Sequence, residues 1–465
     1  MPLIKNILSL FTLTAQFKNL LLLAAPIAAT QFSQMAMGVV DTVMSGNASA
    51  EDLAAVAVGS SIWVPIMFFM AGVLTAITPT VAQYCGAKQY SNIGHSIRQS
   101  FWIALLLAVF AFIALISVHD LFVFMDVEAT ILPIATGYLY ALAWSMPAIA
   151  GFFVLRFLNE GMANIYPVMF IGFMGLGVNI LANYILIFGH FGAPALGGVG
   201  AGWATTITFW FMLISLFIYI LNSQKFIHIE LFKADVKPHI EELRALVKLG
   251  VPIGITFFVE GSVFSIIALF LASVDVVSVA AHQIALNFSS LVFLLPLSLS
   301  ISLTIQVGHQ IGAQQYHLSR ESIKAGLIMS LCTSILSAFI IFNFAVEIAQ
   351  LYTDHSKVIQ LASSLMIFTA IYQFSDGIQL CAAGSLRGLK DTSIPMLLSI
   401  ISYWVIGFPL GYTLAMTDLI SNAMGAKGFW MGLIIALTVS AILMTSRLYI
   451  KMSKYAKLDK LNLNP

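Results

Sequence analysis

Twelve stretches of this chain are apolar over the length a bilayer requires, and this restricts the fold before any motif is read. They lie near 19–43, 54–76, 98–118, 133–155, 165–188, 198–221, 246–271, 282–306, 324–348, 361–383, 394–416 and 427–449. A helix crosses the hydrocarbon core with about 20 residues. Lipid offers no partner to backbone N–H and C=O groups, so each run must close its own hydrogen bonds as an α-helix. Only 9% of the 465 residues are charged, 60% are apolar, and the mean hydropathy is +0.96. Soluble domains carry about 25% charged residues. The expected fold is therefore an all-α polytopic membrane protein of 12 transmembrane helices.

The few cations set the expected orientation, because Lys and Arg stay on the cytoplasmic side of short loops. With the N-terminus inside, Lys5, Lys18, Lys88, Arg98, Arg156, Lys225 to Lys248, Arg320, Lys324, Arg387, Lys390 and Arg447 to Lys460 all face the cytoplasm. Only Lys357 and Lys427 fall outside. Both termini are thus expected to be cytoplasmic. The first segment, with Lys5, Lys18 and the small residues Ala28-Ala29-Thr30, has the look of a cleavable signal. Cleavage is not expected, because the segment recurs later in the chain as a span.

That recurrence divides the chain. Pro26 in AAPIAAT matches Pro252 in GVPIGIT, at 252 − 26 = 226. Ala82–Tyr90 (AQYCGAKQY) matches Gly308–Tyr316 (GHQIGAQQY) at the same offset, and Trp203 matches Trp430 at 430 − 203 = 227. Six runs precede the charged connection 222–245 and six follow it. Both repeats start on the cytoplasmic side, so they are parallel. The expected organisation is an N-lobe over 1–221, a cytoplasmic linker over 222–245 with a surface helix within 236–247, and a C-lobe over 246–465.

Acids inside such runs are costly and point to function. Three are expected within spans: Glu260, in the middle of Leu246–Phe270, Asp376, and Asp41 towards an outer end. They are not repeated, since Glu260 corresponds to Gln34 and Asp41 to Ile267. No Lys or Arg is expected at their depth. Unpaired carboxylates in a wet cavity bind cations or protons. Tyr372 stands four residues before Asp376 and shares its helix face. A Tyr hydroxyl, an Asp and a Glu form an oxygen set suited to a hard cation such as Na⁺. Asn179 and Asn183 are likewise four apart, and with Thr205 they are candidate companions of Asp41. Interhelical hydrogen bonding is the alternative reading of that group. Asp354, at the mouth of the tenth span, reads equally as a solvated loop residue.

Other chemistries lack a signature. There is no GxxxxGK[ST], HExxH or GxGxxG, so no nucleotide, metal-hydrolase or dinucleotide motif is present. The three cysteines, Cys85, Cys332 and Cys381, show no metal spacing and are read as packing residues. His282, His309 and His317 fall at expected helix ends or loops. No basic or acidic block suggests a nucleic-acid partner. No cofactor is expected beyond a coupling ion, and the chain is expected to act as a monomer.

Several segments together resemble NorM-type members of the multidrug and toxic compound extrusion (MATE) family, over about Leu20 to Ile450. They are PIAATQFSQMAMGVVDTVMSG with Asp41, EDLAAVAVGSS, PALGGVGAGWAT, PIGITFFVEGSVFS around Glu260, AAHQIALN, and YQFSDGIQLCAAGSLRGLKDT from Tyr372 to Thr392. The resemblance implies two six-helix bundles of the MATE/MOP type that alternate between outward-open and inward-open states. It implies export of amphipathic, mostly cationic drugs and dyes in exchange for Na⁺ or H⁺, hence antibiotic resistance, at a bacterial inner membrane. Glu260, Asp376 and Tyr372 would form the cation site, with Asp354 accessory; Asp41, Asn179 and Asn183 would form the N-lobe polar cluster. The sequence does not decide between Na⁺ and H⁺, and Na⁺ is taken as the slightly favoured expectation. Two rival functions fit the sequence less well. A lipid-linked oligosaccharide flippase should hold Lys or Arg for phosphates, and none is expected within the spans. An intramembrane enzyme would need a nucleophile and base in reach, and none stands out.

Overall fold

The computed structural model describes residues 2–124, 127–231, 237–272, 274–420 and 422–462, with backbone alone for 2–12, 272 and 458–462. Among them the regular structure is helical: α1 (Pro2–Ala48), α2 (Ala50–Leu74), α3 (Ile77–Gly86), α4 (Tyr90–Ile116), α5 (His119–Phe124), α6 (Leu132–Ala143), α7 (Met146–Gly161), α8 (Tyr166–Phe188) and α9 (Gly198–Asn222) come first. Then follow α10 (Ile240–Ala272), α11 (Val276–Gly312), α12 (Tyr316–Gln350), α13 (Ser356–Gly388), α14 (Ser393–Ile400), α15 (Phe408–Met416) and α16 (Ala426–Asn462). Eleven helical stretches are long and apolar enough to cross a membrane, and twelve if α6 and α7, bent by 45°, count as one broken span. The expected twelve spans are therefore present. The surface helix expected within 236–247 becomes the start of α10 at Ile240, and residues 232–236 of the linker lie outside the described residues.

The repeat is written into backbone details that sequence identity does not show. Four of the six non-glycine residues in the left-handed region among the described residues pair off between the halves: Lys88 with Gln314, and Ala163 with Lys390. Gly197 and Gly425 share the same sign of φ. The offsets are 314 − 88 = 226, 390 − 163 = 227 and 425 − 197 = 228. Side-chain contacts repeat as well. Lys225 Nζ donates to Asn164 at 2.9 Å, and its counterpart Lys451 pairs with Asp391 at 3.2 Å. Ser49 caps α2 by accepting from Asp52 N, while Asp275, 226 residues on, caps α11 by accepting from Ser278 N. The Ser and Asp have exchanged places, because either oxygen satisfies the free N–H groups of a first turn.

The Asp275 cap gives a first test. Backbone and side-chain hydrogen bonds from Ser278 hold its carboxyl below the usual value of 3.8. A lowered folded pKa contributes stability above the unfolded value and loses it as the pH falls through the folded one. Asp275→Ala should loosen the first turn of α11 by about 1 kcal/mol, read as several-fold faster amide exchange at Val277 and Ser278. Asp275→Asn should retain most of the protection. Equal exchange in Asp275→Ala and wild type would show the cap to be idle.

The chain packs as two compact units, Met1–Ala28 with Ile255–Pro465, and Ala29–Gly254. This differs from the lobes drawn at 221 and 246 in two places. Both differences lie inside a helix, just after Pro26 in α1 and just after Pro252 in α10. The breaks are equivalent in the repeat, since 254 − 28 = 226. Gln16 of α1 accepts hydrogen bonds from Gln306, Gln310 and Ser322 in the first unit. Its counterpart Glu242 of α10 accepts from Ser96, the counterpart of Ser322, in the second. The linker is thus the covalent joint between repeats, whereas the packing joint lies within each repeat's first helix.

Each unit has its own apolar interior. In the second unit it runs through Val73, Ile97, Leu139, Phe152 and Met212. In the first, one cluster surrounds Trp430, Leu365 and Phe429, and another joins Leu20 of α1 to Leu303 and Leu386. Small residues bring the helices close, as they do where lipid supplies no hydrophobic drive between helices. A side chain on Gly384 of α13 would collide with the Ser300 carbonyl of α11.

Candidate functional site

In the second unit the four residues expected around Asp41 come together. Asp41 stands on α1 after the Pro26 break and is buried, as are Asn179, Asn183 and Thr205. Asn179 and Asn183, one turn apart on α8, donate to Asp41 Oδ1 at 3.0 and 2.6 Å. Thr205 Oγ1 of α9 donates to Oδ2 at 2.7 Å. One carboxylate thus gathers three helices. Asn183 Oδ1 is left buried with no donor among the described residues, so the cluster has an oxygen to spare.

In the first unit Glu260 is partly buried on α10. Its Oε1 accepts from Gln379 Nε2 of α13 at 2.8 Å and from Ser399 Oγ of α14 at 3.3 Å. Gln379 Oε1 in turn accepts from Tyr403 at 2.9 Å. Tyr403 belongs to a π-helical segment, Ile401–Gly407, that joins α14 to α15. Such single wide turns often mark functional places. The equivalent stretch of α8 is plain α-helix. Asp376, one turn before Gln379 on α13, is buried and lies within electrostatic reach of Glu260. Its Oδ2 has no hydrogen-bond partner among the described residues. Tyr372, a turn before Asp376, is buried and shares a hydrogen bond with Ser289 of α11. It also stacks on Trp430, with ring centres 5.9 Å apart.

Glu260, Asp376 and Tyr372 therefore belong to one unit, with Tyr372 and Asp376 on one face of α13 and Glu260 within electrostatic reach from α10. Asp354 does not join them: it is exposed in the loop between α12 and α13. Among the described residues no three His, Cys, Asp or Glu side chains gather as metal ligands. A cation held by the two acids would need neutral oxygens such as Tyr372 and Ser289 to complete it.

Three expectations are corrected. Arg156 and Arg387 are not in loops but buried in α7 and α13. Arg156 Nε meets Glu160, a buried acid that the sequence did not single out, at 2.7 Å, and its other nitrogens donate to Gln31 and Gln34 at 2.7 and 3.0 Å. An internal ion pair thus exists, although it does not involve Asp41, Glu260 or Asp376. Third, His282 is fully buried inside α11, where Nδ1 accepts from Trp430 Nε1 at 3.2 Å. The partners Gln379, Ser399, Tyr403 and Ser289 were not expected. Only Gln379 had a signal, its spacing of three from Asp376.

The MatE family profile matches residues 26–185 and again 252–413. The chain belongs to the MATE family. The two matches start 252 − 26 = 226 residues apart, the offset of the internal repeat. Solved MATE structures are similar over nearly the whole chain. The eukaryotic MATE transporter AtDTX14 is 19% identical with a TM-score of 0.85, covering 96% of this chain and 98% of its own. An outward-facing multidrug resistance MATE transporter of the MOP superfamily is 20% identical, with a TM-score of 0.84 and coverages of 95% and 97%. A MOP superfamily transporter from Pyrococcus furiosus, described for the reversed polarity of its binding pocket, is 20% identical with a TM-score of 0.83, again covering 95% and 97%. At such identities the likeness is one of fold. MATE family members are transporters rather than enzymes, and this one is a multi-pass membrane protein.

Proposed function

We propose that this MATE protein is a NorM-type secondary exporter of amphipathic, mostly cationic compounds, driven by inward exchange of Na⁺ or H⁺ across a bacterial inner membrane. The termini are cytoplasmic in this reading, the protein alternates access as a monomer, and no cofactor is needed beyond the coupling ion. The observation that carries it is Asp376 Oδ2: a buried carboxylate oxygen without a donor among the described residues, within electrostatic reach of a second acid. Leaving such an acceptor unmet costs about 1–3 kcal/mol or more for a charged group, and a cation or proton removes that cost. Glu260, Asp376 and Tyr372 hold the ion, with Asp354 at most an outer accessory given its exposure. Asp41 with Asn179, Asn183 and Thr205 serves substrate or proton handling. The buried Arg156 and Arg387 revive the flippase alternative; Arg387 donates to Ser300 and packs on Phe257, and three acceptors already occupy the Arg156 guanidinium. A phosphate would have to displace all three.

Dye efflux from proteoliposomes, with Na⁺ and pH gradients imposed separately, tests the function and identifies the ion. No efflux under either gradient would reject export. Asp376→Asn should weaken cation binding strongly, and Tyr372→Phe mildly, since Tyr372 already has Ser289 as a partner. Isothermal titration on purified protein reads both. Unchanged affinity in Asp376→Asn would move the ion site elsewhere.

A further inference from the structure

Asp376 does not stand alone on its helix face. On α13, Thr369, Gln373 and Asp376 follow one another at four and then three residues, so they lie on one face of the helix. All three are buried, at 0%, 1% and 6% exposure. Thr369 Oγ1, Gln373 Nε2 and Asp376 Oδ2 each lack a hydrogen-bond partner among the described residues. Three such atoms on successive turns are unusual, since buried polar groups are nearly always bonded to protein or to ordered water.

Helix α12 lines the same stretch with hydroxyls. Ser334 Oγ donates to the Gln373 carbonyl at 2.9 Å, and Ser330 Oγ lies where a Cβ on Gly377 would stand. The two helices therefore run antiparallel here, and Ser337, one turn beyond Ser334, comes level with Thr369. Ser330, Ser334 and Ser337 are all buried.

The second unit shows that this helix pair packs without such polarity. Ser330, Ser334 and Ser337 correspond to Ala104, Ala108 and Ala111 of α4, at 330 − 104 = 226. Thr369, Gln373 and Asp376 correspond to Leu142, Met146 and Ile149 of α6 and α7, at 376 − 149 = 227. Those six are buried and apolar. The polarity thus accompanies the coupling acid and not the packing.

The spacing suits water. The three positions step along α13 by about 6 and 4.5 Å. One water bonded on both sides joins polar atoms about 5.5 Å apart, and a buried water needs polar partners of this kind to hold it. Towards the start of α13 the same face continues as Met366, Leu365 and Ala362, all fully buried. The polar file therefore ends at Thr369, against an apolar plug.

We propose that Thr369, Gln373 and the three α12 serines form a hydrated file by which the coupling cation reaches and leaves Asp376, with Leu365 and Met366 as its seal. The proposal deepens the reading of Asp376 as an ion site and rests on it. A cation in a low-dielectric interior is costly unless polar groups surround it, so a route needs such groups at every turn. With cytoplasmic termini, the sealed end faces the outer side.

Stopped-flow tryptophan fluorescence of the purified full-length protein tests it, with jumps in Na⁺ or proton concentration. Trp430 reports near the site, since it stacks on Tyr372. Gln373→Met installs the residue found at the equivalent place in the second unit. It should lower the slope of relaxation rate against ion concentration about tenfold. The intercept should fall by the same factor, leaving equilibrium affinity within about twofold of wild type. Thr369→Val should act likewise, and it gives the reading if Gln373→Met does not fold. Waters that merely satisfy buried groups would leave the slope unchanged, and an unchanged slope in either folded variant overturns the proposal. So does a loss of affinity beyond that range, which would make the altered residue a ligand of the ion instead of part of its route. A wild type that binds neither ion, or Asp376→Asn with unchanged affinity, removes the ion site itself and the proposal with it.

Discussion

Glu260→Gln is expected to insert and fold normally and to export no dye above the background of empty vesicles. Folding should survive because the glutamine carbonyl can still accept from Gln379 Nε2 and Ser399 Oγ, the two hydrogen bonds that hold Glu260 Oε1. What is lost is charge. A cation about 4 Å from a carboxylate gains about 4 kcal/mol at an effective dielectric near 20, close to a thousandfold in binding. Efflux is read in proteoliposomes under whichever gradient drives the wild type, with gel filtration and thermal unfolding as controls for folding. Normal efflux by a well-folded Glu260→Gln protein would remove Glu260 from coupling.

Asp41→Asn tests the other unit and should act on the substrate rather than the ion. All three partners of Asp41 donate to it. An amide in its place offers one acceptor oxygen and turns an N–H₂ towards a former donor. Asn179 or Asn183 can flip to meet it, so the helices stay joined while the negative charge disappears. A cationic drug near that charge should bind at least about tenfold more weakly, and a neutral substrate should be affected less. Na⁺ binding by the first unit should be largely intact. Both affinities are measured on one purified Asp41→Asn preparation. Joint collapse would mean one shared site; no change in either would reduce Asp41 to an interhelical clasp.

Much of this was legible in the sequence because membrane helices have few ways to hide their chemistry. Apolar length fixed the spans, and the spacing of four between Asn179 and Asn183 put both amides on one face. The neutral partners of Glu260 left less trace. Ser399 and Tyr403 approach from another helix, and Tyr403 does so through a π segment whose wide turn has no sequence marker. The buried arginines escape the sequence for a different reason. Arg156 and Arg387 each lie within the last turns of a helix that ends at a glycine, Gly161 or Gly388. A long side chain there can run out to water or fold back inside, and the rule that places cations at the cytoplasmic face does not distinguish the two.

The place where each first helix changes unit has a consequence for how such a chain can be divided. Neither repeat contains all of the unit that its later helices build. Residues up to Ala28 complete the interior made by the second repeat, and α10 up to Gly254 completes that of the first. This is the arrangement of a domain-swapped pair, in which each partner lends the same arm to the other. A piece cut out at the linker would carry an orphaned arm and an open socket matched to the arm of the other repeat. The fused chain is in that sense a dimer with its partner already attached.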